Sequence, residues 1–202
     1  MLRTRLIVLA KAPVAGFAKT RLIPALGAEG AARLARRLLD ETMAQARAAG
    51  FDGLELCCAP DTTHPAFVQQ RQRGGVRLSV QGSGDLGARM HQAVTRGLRD
   101  AAQVILIGTD APRLDAAYLQ AASTALANND AVLGPAADGG YVLIGLRRPA
   151  PRLFEAMPWS TERVLALTRE LMIECGLRWA ELPTLHDIDT DADLAHLPSG
   201  WL

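Results

Sequence analysis

Val104-Ile-Leu-Ile-Gly-Thr-Asp-Ala-Pro-Arg-Leu114 is the stretch from which we predict the fold. Its unbroken apolar run predicts a strand buried on both faces, as parallel sheets require. The run ends at Gly108, and Pro112 prevents a helix from starting early. Asp110 lies between them, at the carboxyl end of the strand, where open α/β sheets bind ligands. A ligand contact and a simple turn or helix-cap aspartate are both open interpretations of this residue.

The bulk composition predicts one globular domain over residues 1–202, because 49% of the residues are hydrophobic and 21% are charged. A net charge of +1 argues against nucleic-acid or anionic-membrane partners, which need a basic surface. The apolar run 6–10 is too short for a signal peptide or a membrane span. Cys57, Cys58 and Cys175 lack metal-ligand spacing, so we expect reduced thiols in a cytoplasmic protein.

Short apolar runs alternate with amphipathic segments along the chain, which predicts a three-layer α/β/α fold. The strands are predicted at 6–10, 54–59, 76–81, 104–108, 131–134, 141–146 and 177–182. The first predicted helices are 28–49, a short helix that begins at 65, and a helix that follows the glycine-rich loop 82–87 and ends at 102. The later ones are 115–127, 161–175 with Ser160 as N-cap, and a short helix that ends near 197. The tight turn at 138–140 joins two strands directly, so one antiparallel strand is expected in a mostly parallel, mixed sheet.

The loop after the first strand carries three cations, Lys11, Lys19 and Arg21, where a polyphosphate could bind. The two lysines are the only ones in the chain, which otherwise uses arginine. The loop has neither the P-loop pattern nor the dinucleotide-binding glycine pattern, so those two classes are disfavoured. Solvated surface cations are the alternative interpretation.

Three carboxylates are candidates for a divalent metal, which a phosphate-bearing substrate usually brings with it. They are Asp110, Asp187 and Asp189. In an extended segment Asp187 and Asp189 point the same way, because side chains alternate with a period of two. Asp191 and Asp193 are expected to cap the short helix that follows.

Two glycine-containing loops and one aromatic residue are further candidates for ligand contacts. The stretch 82–85 can bring backbone amides close to a base or phosphate, because glycine has no Cβ. The turn 138–141 can shape an acceptor pocket or be a plain hairpin turn. Trp159 and Ser160 lie ahead of a helix, where stacking on a ligand and simple packing or capping are both open.

Six motifs in order resemble those of the bacterial DUF2064 proteins, which are grouped with the glycosyltransferases of the GT-A superfamily. The motifs are KAPVAGFAKTRL (11–22), QGSGDLGARM (81–90), GTDAP (108–112), GPAADGGYVLIGL (134–146), PWST (158–161) and DIDT (187–190). More distant likenesses are molybdenum-cofactor guanylyltransferases, phospholactate guanylyltransferases and sugar cytidylyltransferases.

The resemblance implies a nucleotide-diphospho-sugar transferase (GT-A) fold and assigns roles to residues. Nucleotide binding falls to Lys11, Ala12, Gly16, Gln81, Gly82, Gly84 and Asp85. Acceptor binding falls to Asp138, Gly139, Gly140, Tyr141, Trp159 and Ser160. The catalytic residues are Lys19, Arg21 and Asp110, and the ligands of Mg²⁺ or Mn²⁺ are Asp110 and Asp189.

The chain departs from its relatives at two of these motifs. The glycine-rich loop of nucleotidyltransferases, with Arg before Lys, is replaced by cations around the single Gly16. The Asp-x-Asp motif of glycosyltransferases is replaced by Thr109-Asp110-Ala111.

The residues and the resemblance together predict a metal-dependent transferase that acts on a nucleotide substrate. In nucleotidyl transfer an acceptor phosphate attacks the α-phosphorus of an NTP and pyrophosphate leaves. In glycosyl transfer the same residues hold an NDP-sugar and the NDP leaves. A non-catalytic nucleotide-sensing or interaction module with the same fold is the alternative.

Overall fold

The computed structural model of the protein describes residues 3–201, which form three layers around one seven-stranded sheet. The strands are β1 (Thr4–Lys11), β2 (Gly53–Ala59), β3 (Arg77–Val80), β4 (Gln103–Ile107), β5 (Ala131–Pro135), β6 (Tyr141–Leu146) and β7 (Trp179–Glu181). The α-helices are α1 (Ile23–Ala48), α2 (Pro65–Gln72), α3 (Leu86–Gly97), α4 (Ala116–Asn128) and α5 (Val164–Glu174). Short 3-10 segments lie at Thr20–Leu22, Pro151–Leu153 and Asp191–His196.

The sheet has the strand order β3-β2-β1-β4-β6-β5-β7. Strand β6 runs antiparallel to both of its neighbours, β4 and β5, and the other pairs of strands are parallel. The prediction of a mostly parallel sheet with one antiparallel strand is therefore confirmed. The amino end of β6 consequently lies at the edge of the sheet where β4 and β5 end, because Ile107 and Gly134 both pair with Leu143.

Strand β4 contributes to two cores, one on each face of the sheet. Ile105 and Ile107 pack in the core under α1, α2 and α4, whereas Val104 and Leu106 pack in the core under α3 and α5. Each of the four side chains is at most 3% exposed. Burial on both faces explains why the run in the sequence is continuously apolar rather than alternating.

A third, smaller core joins the C-terminal segment to the first helix. Ile188, which is 0% exposed, packs with Leu22, Leu34 and Leu38. Leu194, Leu197 and Trp201 surround this group. The chain after β7 is thus fixed by apolar burial against α1.

Three details of the helices differ from the sequence-based expectations. Helix α3 ends at Gly97 rather than at 102. Gly97 packs so closely on β4 that a Cβ would approach Val104 Cγ2 to 2.7 Å. Helix α5 begins at Val164, and the prediction of Ser160 as its N-cap is wrong, since Ser160 has a left-handed φ of 65°. Helix α1 begins at Ile23, earlier than predicted, but it is interrupted at Gly27, whose φ is 69°, so that its main part starts at the predicted position 28.

Within residues 3–201, no helix combines the length and the hydrophobicity that crossing a lipid bilayer requires.

Candidate functional site

The site is built where the carboxyl ends of β1 and β4 lie side by side. The cationic loop follows β1, and Asp110 follows β4. A third segment reaches the same edge from the C-terminal part of the chain, because the backbone N–H of Ile188 donates to the carbonyl of Asp110 at 2.9 Å. Three distant parts of the sequence therefore meet at one edge of the sheet, as ligand sites in open α/β sheets do.

Lys19 connects these three segments through its ammonium group. Its Nζ lies 2.7 Å from Asp110 Oδ1 and 3.8 Å from Asp189 Oδ1, and it donates a hydrogen bond to the carbonyl of Ile188. The side chain is only 7% exposed, and its backbone has a left-handed φ of 51°. Of its three donors, two point to the close acceptors on Asp110 and Ile188, whereas Asp189 is an ion-pair contact at a longer distance. Lys19 thus holds two carboxylates together, rather than extending into solvent as a phosphate-binding cation would.

Arg21 and Lys11 keep their charges accessible. Arg21 Nη1 lies 2.6 Å from Asp189 Oδ2, yet the Arg21 side chain is 58% exposed. Lys11, the last residue of β1, is exposed and forms no ion pair with any described residue. Two of the three cations, Lys11 and Arg21, are therefore available to an incoming phosphate.

A small cleft of about 90 Å³ lies beside Asp110. Its lining residues are Gly108, Asp110, Ala111, Leu114, Tyr141, Val142 and Asp187. Burial, and then the nearby charges of Asp138 and Asp110, raise the pKa of Asp187 to about 6. The Tyr141 hydroxyl is buried without a partner among the described residues, and this burial raises the pKa of the phenol. The cleft thus contains two carboxyl groups, Asp110 and Asp187, and Asp138 lies close enough to act on the second.

The acidic side chains fit a metal that is shared with a phosphate-bearing substrate. Within residues 3–201, no three His, Cys, Asp or Glu side chains form a metal-binding group of their own. Mg²⁺ is commonly held by one or two carboxylates together with substrate phosphates. Asp110 and Asp187 line the same cleft, whereas Asp189 forms ion pairs with Arg21 and Lys19.

The predicted nucleotide-binding residues of the first loop lie at this edge of the sheet. Ala12 is buried, and its N–H donates to the Ala59 carbonyl at 2.8 Å, which ties the loop to the end of β2. Gly16 lies at the exposed turn of the loop with a φ of 78°, a conformation that favours glycine.

Structural contacts account for much of the second glycine-containing loop. The Gln81 amide donates to the carbonyls of Ala10 and Cys57, each at 3.1 Å, and so fastens the ends of β1 and β2. Asp85 is the N-cap of α3, because its Oδ1 accepts from the N–H of Ala88 at 2.8 Å. These two side chains are engaged by the protein itself, and their predicted contacts to a nucleotide stay predictions.

The glycines of this loop are also explained by packing. A Cβ on Gly82 would lie 1.6 Å from Gln92 Oε1, and a Cβ on Gly84 would lie 2.8 Å from the Ala88 Cβ. Gly84 also has a φ of 99°. The loop is therefore folded tightly onto α3.

The two predicted acceptor segments are brought together. Gly139 accepts a hydrogen bond from the Leu165 N–H at 2.8 Å, and a Cβ on Gly139 would lie 2.2 Å from the Glu162 carbonyl oxygen. The rings of Tyr141 and Trp159 meet edge to face, with centroids 6.4 Å apart. The turn 138–141 and the stretch 159–162 thus form one wall beside the cleft.

Two other predicted acceptor residues serve local structure. Asp138 Oδ1 accepts from the N–H of Gly140 at 2.8 Å and closes the turn. Ser160 is exposed and has a left-handed φ, in the stretch 159–162 ahead of helix α5.

The sequence did not reveal the roles of two residues in this region, nor the contacts that the Lys19 ammonium makes with Asp110, Asp189 and Ile188. Ile188 contacts Asp110 and Lys19 through its backbone, which no side-chain pattern could have shown. Asp193 was predicted only as a helix cap, although it also bonds the backbone of Asp189. The spacing Thr190-x-x-Asp193 is a capping-box signal that the sequence did contain.

A family model described as "Uncharacterized protein conserved in bacteria (DUF2064)" matches residues 39–161. The crystal structure of a candidate nucleotide-diphospho-sugar transferase from Desulfovibrio desulfuricans G20 is similar over 100% of this chain and 90% of its own. Its TM-score is 0.88 at 30% sequence identity. No curated protein has a matching sequence.

Two less similar structures share the fold. Rv0371c from Mycobacterium tuberculosis H37Rv, in complex with manganese, has a TM-score of 0.61 at 19% identity, over 99% of this chain and 100% of its own. CMP:2-keto-3-deoxy-manno-octonic acid synthetase, complexed with CTP, has a TM-score of 0.60 at 11% identity, over 96% of each chain. The second of these is named as a synthetase with a bound nucleotide, and at these identities the likeness shows the fold alone.

Proposed function

The chain belongs to the DUF2064 family, and we propose that it is a divalent-metal-dependent transferase that uses a nucleotide-diphospho-sugar donor. The observation that carries the proposal is the position of Asp110, at the end of the central strand β4 between Lys19 and the cleft that it shares with Asp187. The fold supplies the place for a nucleotide, and this cluster supplies the charges that its phosphates and their metal need.

The charge balance favours a diphosphate over a triphosphate. Three cations in the loop after β1 would suit a triphosphate, but the ammonium of Lys19 is occupied by Asp110, Asp189 and a backbone carbonyl. Lys11 and Arg21 are left for the substrate. Two accessible cations match the two negative charges of an NDP-sugar. The 30%-identical relative, described as a candidate nucleotide-diphospho-sugar transferase, supports the same choice.

Asp110 and Asp187 are the residues that we propose as ligands of Mg²⁺ or Mn²⁺. Asp187 is preferred to Asp189 because it shares the cleft with Asp110 and has no ion-pair partner among the described residues. Asp110 and Asp187 would hold such an ion, which would supply positive charge beside the leaving diphosphate. The manganese complex of Rv0371c is consistent with a divalent ion in this fold.

The other residues hold the two substrates. Lys11 and Arg21 bind the donor phosphates and stabilise the leaving NDP. The acceptor lies against the wall formed by the turn 138–141 and the stretch 159–162, which faces the cleft through Tyr141. The transfer breaks the bond between the sugar and the β-phosphate and joins the sugar to an acceptor oxygen, whose proton is released.

A panel of NDP-sugars and NTPs with Mg²⁺ tests this proposal. At a ligand concentration of about 100 times Kd, binding contributes about 2.7 kcal/mol, which raises Tm by about 5–11 °C for a chain of this size. We expect NDP-sugars to shift Tm and NDP to be released when acceptors are supplied. Release of pyrophosphate from an NTP would show nucleotidyl transfer instead. Binding without turnover would support the nucleotide-sensing alternative. An unchanged Tm with every nucleotide would refute glycosyl transfer, nucleotidyl transfer and nucleotide sensing alike.

A Mn²⁺ titration compares the two candidate partners of Asp110. Asp187→Asn is expected to weaken Mn²⁺ binding strongly, whereas Asp189→Asn is expected to weaken it less. The opposite order would assign the second ligand to Asp189.

A further inference from the structure

The carboxylate of Asp193 is the hub of a small hydrogen-bond network behind the site. Its Oδ2 accepts from the N–H of Asp189 at 3.1 Å, from the N–H of Thr190 at 2.6 Å and from the hydroxyl of Thr190 at 2.8 Å. These bonds hold the pKa of the Asp193 carboxyl below its usual range, although burial acts in the opposite direction. Three donors therefore converge on one ionised oxygen.

A capping box usually serves the helix that follows it. The helix here is a 3-10 segment of six residues, Asp191–His196, with no buried residue. Within this segment, Leu194 is the residue that packs against the third core, and it is only partly buried. The bonds instead fix the chain just before it, where the Asp189 carboxylate contacts Arg21 at 2.6 Å and Lys19 at 3.8 Å.

The segment that carries Asp189 is held from both sides. On the upstream side, the fully buried side chain of Ile188 anchors it in the third core. On the downstream side, Asp193 holds the backbone of Asp189 and Thr190. A carboxylate that is fixed in this way sets the position of the Arg21 guanidinium, since the two groups form a charge-assisted hydrogen bond.

We propose that Asp193 is a positioning residue of the transferase site, which fixes Asp189 and through it the cations Arg21 and Lys19. This inference rests on the proposed function, in which the phosphates of the donor bind at Arg21 and Lys11. Asp193 itself touches no substrate, and its effect passes through the backbone of Asp189.

Magnesium pyrophosphate is a suitable probe, because it reports on the phosphate contacts without depending on the base or the sugar. Its Kd is measured by calorimetry for the wild type and for Asp193→Ala. We expect about a tenfold rise in Kd, which corresponds to the loss of one charge-assisted hydrogen bond. Asp193→Asn keeps an acceptor oxygen and is expected to restore the Kd to within about threefold of the wild type.

Two matched variants separate positioning from stability. Asp191→Ala removes a neighbouring carboxylate that has no partner among the described residues, and its Kd and Tm are expected to match the wild type. Leu197→Ala removes apolar packing from the same segment. It is expected to lower Tm but to leave Kd within about twofold, since the network around Asp193 is intact.

Hydrogen exchange provides a readout without any ligand. The amides of Asp189 and Thr190 are expected to exchange faster in Asp193→Ala and to keep their protection in Asp191→Ala. If the wild type binds magnesium pyrophosphate and Asp193→Ala binds it equally well, the positioning role is refuted while the proposed function stands. If the wild type does not bind the probe, the proposed function itself fails.

Discussion

Replacing Lys19 with methionine tests the arrangement of charges at the site, because it removes the ammonium between Asp110 and Asp189 and keeps most of the side-chain volume. A hydrogen bond to a charged group contributes about 1.5–3 kcal/mol. The carboxylates of Asp110 and Asp189 are 50% and 42% exposed, so solvent screens part of this interaction. We expect a loss of about 1–2 kcal/mol in the free energy of unfolding, and a fall in Tm of about 2–8 °C.

The same substitution is expected to have the opposite effect on metal binding. The ammonium lies 2.7 Å from Asp110 Oδ1, and it repels a divalent ion at the same carboxylate. In a half-exposed site this repulsion is worth about 1–2 kcal/mol, so Mn²⁺ is expected to bind Lys19→Met about 5- to 30-fold more tightly than the wild type. Binding of magnesium pyrophosphate is expected to weaken, because Asp189, which holds Arg21, loses its contact with Lys19.

Lys11→Met is the matched control, since Lys11 is the other lysine of the chain and is exposed. Both variants are compared by calorimetric Mn²⁺ titration without nucleotide and by thermal unfolding. Lys11→Met is expected to leave Tm within about 1 °C and the Mn²⁺ affinity within about twofold, as for a typical surface substitution. Unchanged or weaker Mn²⁺ binding in Lys19→Met would refute the reasoning, because it would show that Lys19 and the metal do not share the Asp110 carboxylate.

Two further predictions concern packing and thiol chemistry. Gly87→Ala is expected to lower the free energy of unfolding by about 1–3 kcal/mol, because a Cβ would lie 2.2 Å from the Phe154 carbonyl oxygen and 2.7 Å from Trp159 Nε1. A Tm equal to that of the wild type would contradict this prediction. Burial raises the pKa of the Cys58 thiol to about 12. At pH 8 we therefore expect a thiol reagent to modify Cys175 in the native protein, and Cys58 only after unfolding. Peptide mass spectrometry of the modified protein measures this.

The fold was predictable because local patterns agreed with the final packing. The apolar run of β4 implied burial on both faces, and its side chains are divided between the two main cores. The turn 138–140 implied one antiparallel strand, and β6 is that strand. Helix ends were harder to predict from the sequence, and α3 ends at Gly97 rather than at 102.

The sequence predicted which segments would meet at the proposed site, but the contacts between them could not be derived. The carboxyl ends of parallel strands share one edge, so the loop after β1 and Asp110 were expected together, and the structure brings them together. The sequence could not show that Lys19 is buried against two carboxylates and a carbonyl. Nor could it show that Asp85 and Gln81 bond to the protein itself, because these contacts depend on side-chain directions across distant segments.

Asp110 carries the proposed site, and the decisive measurement is the Mg²⁺ dependence of nucleotide binding in Asp110→Asn. The nucleotide that shifts the wild-type Tm most in the panel is titrated by calorimetry with and without Mg²⁺. We predict that the wild type shows strong Mg²⁺ dependence, and that Asp110→Asn loses it while its circular dichroism and cooperative unfolding are retained. Equal Mg²⁺ dependence in the two proteins would contradict the assignment and would remove Asp110 from the metal site.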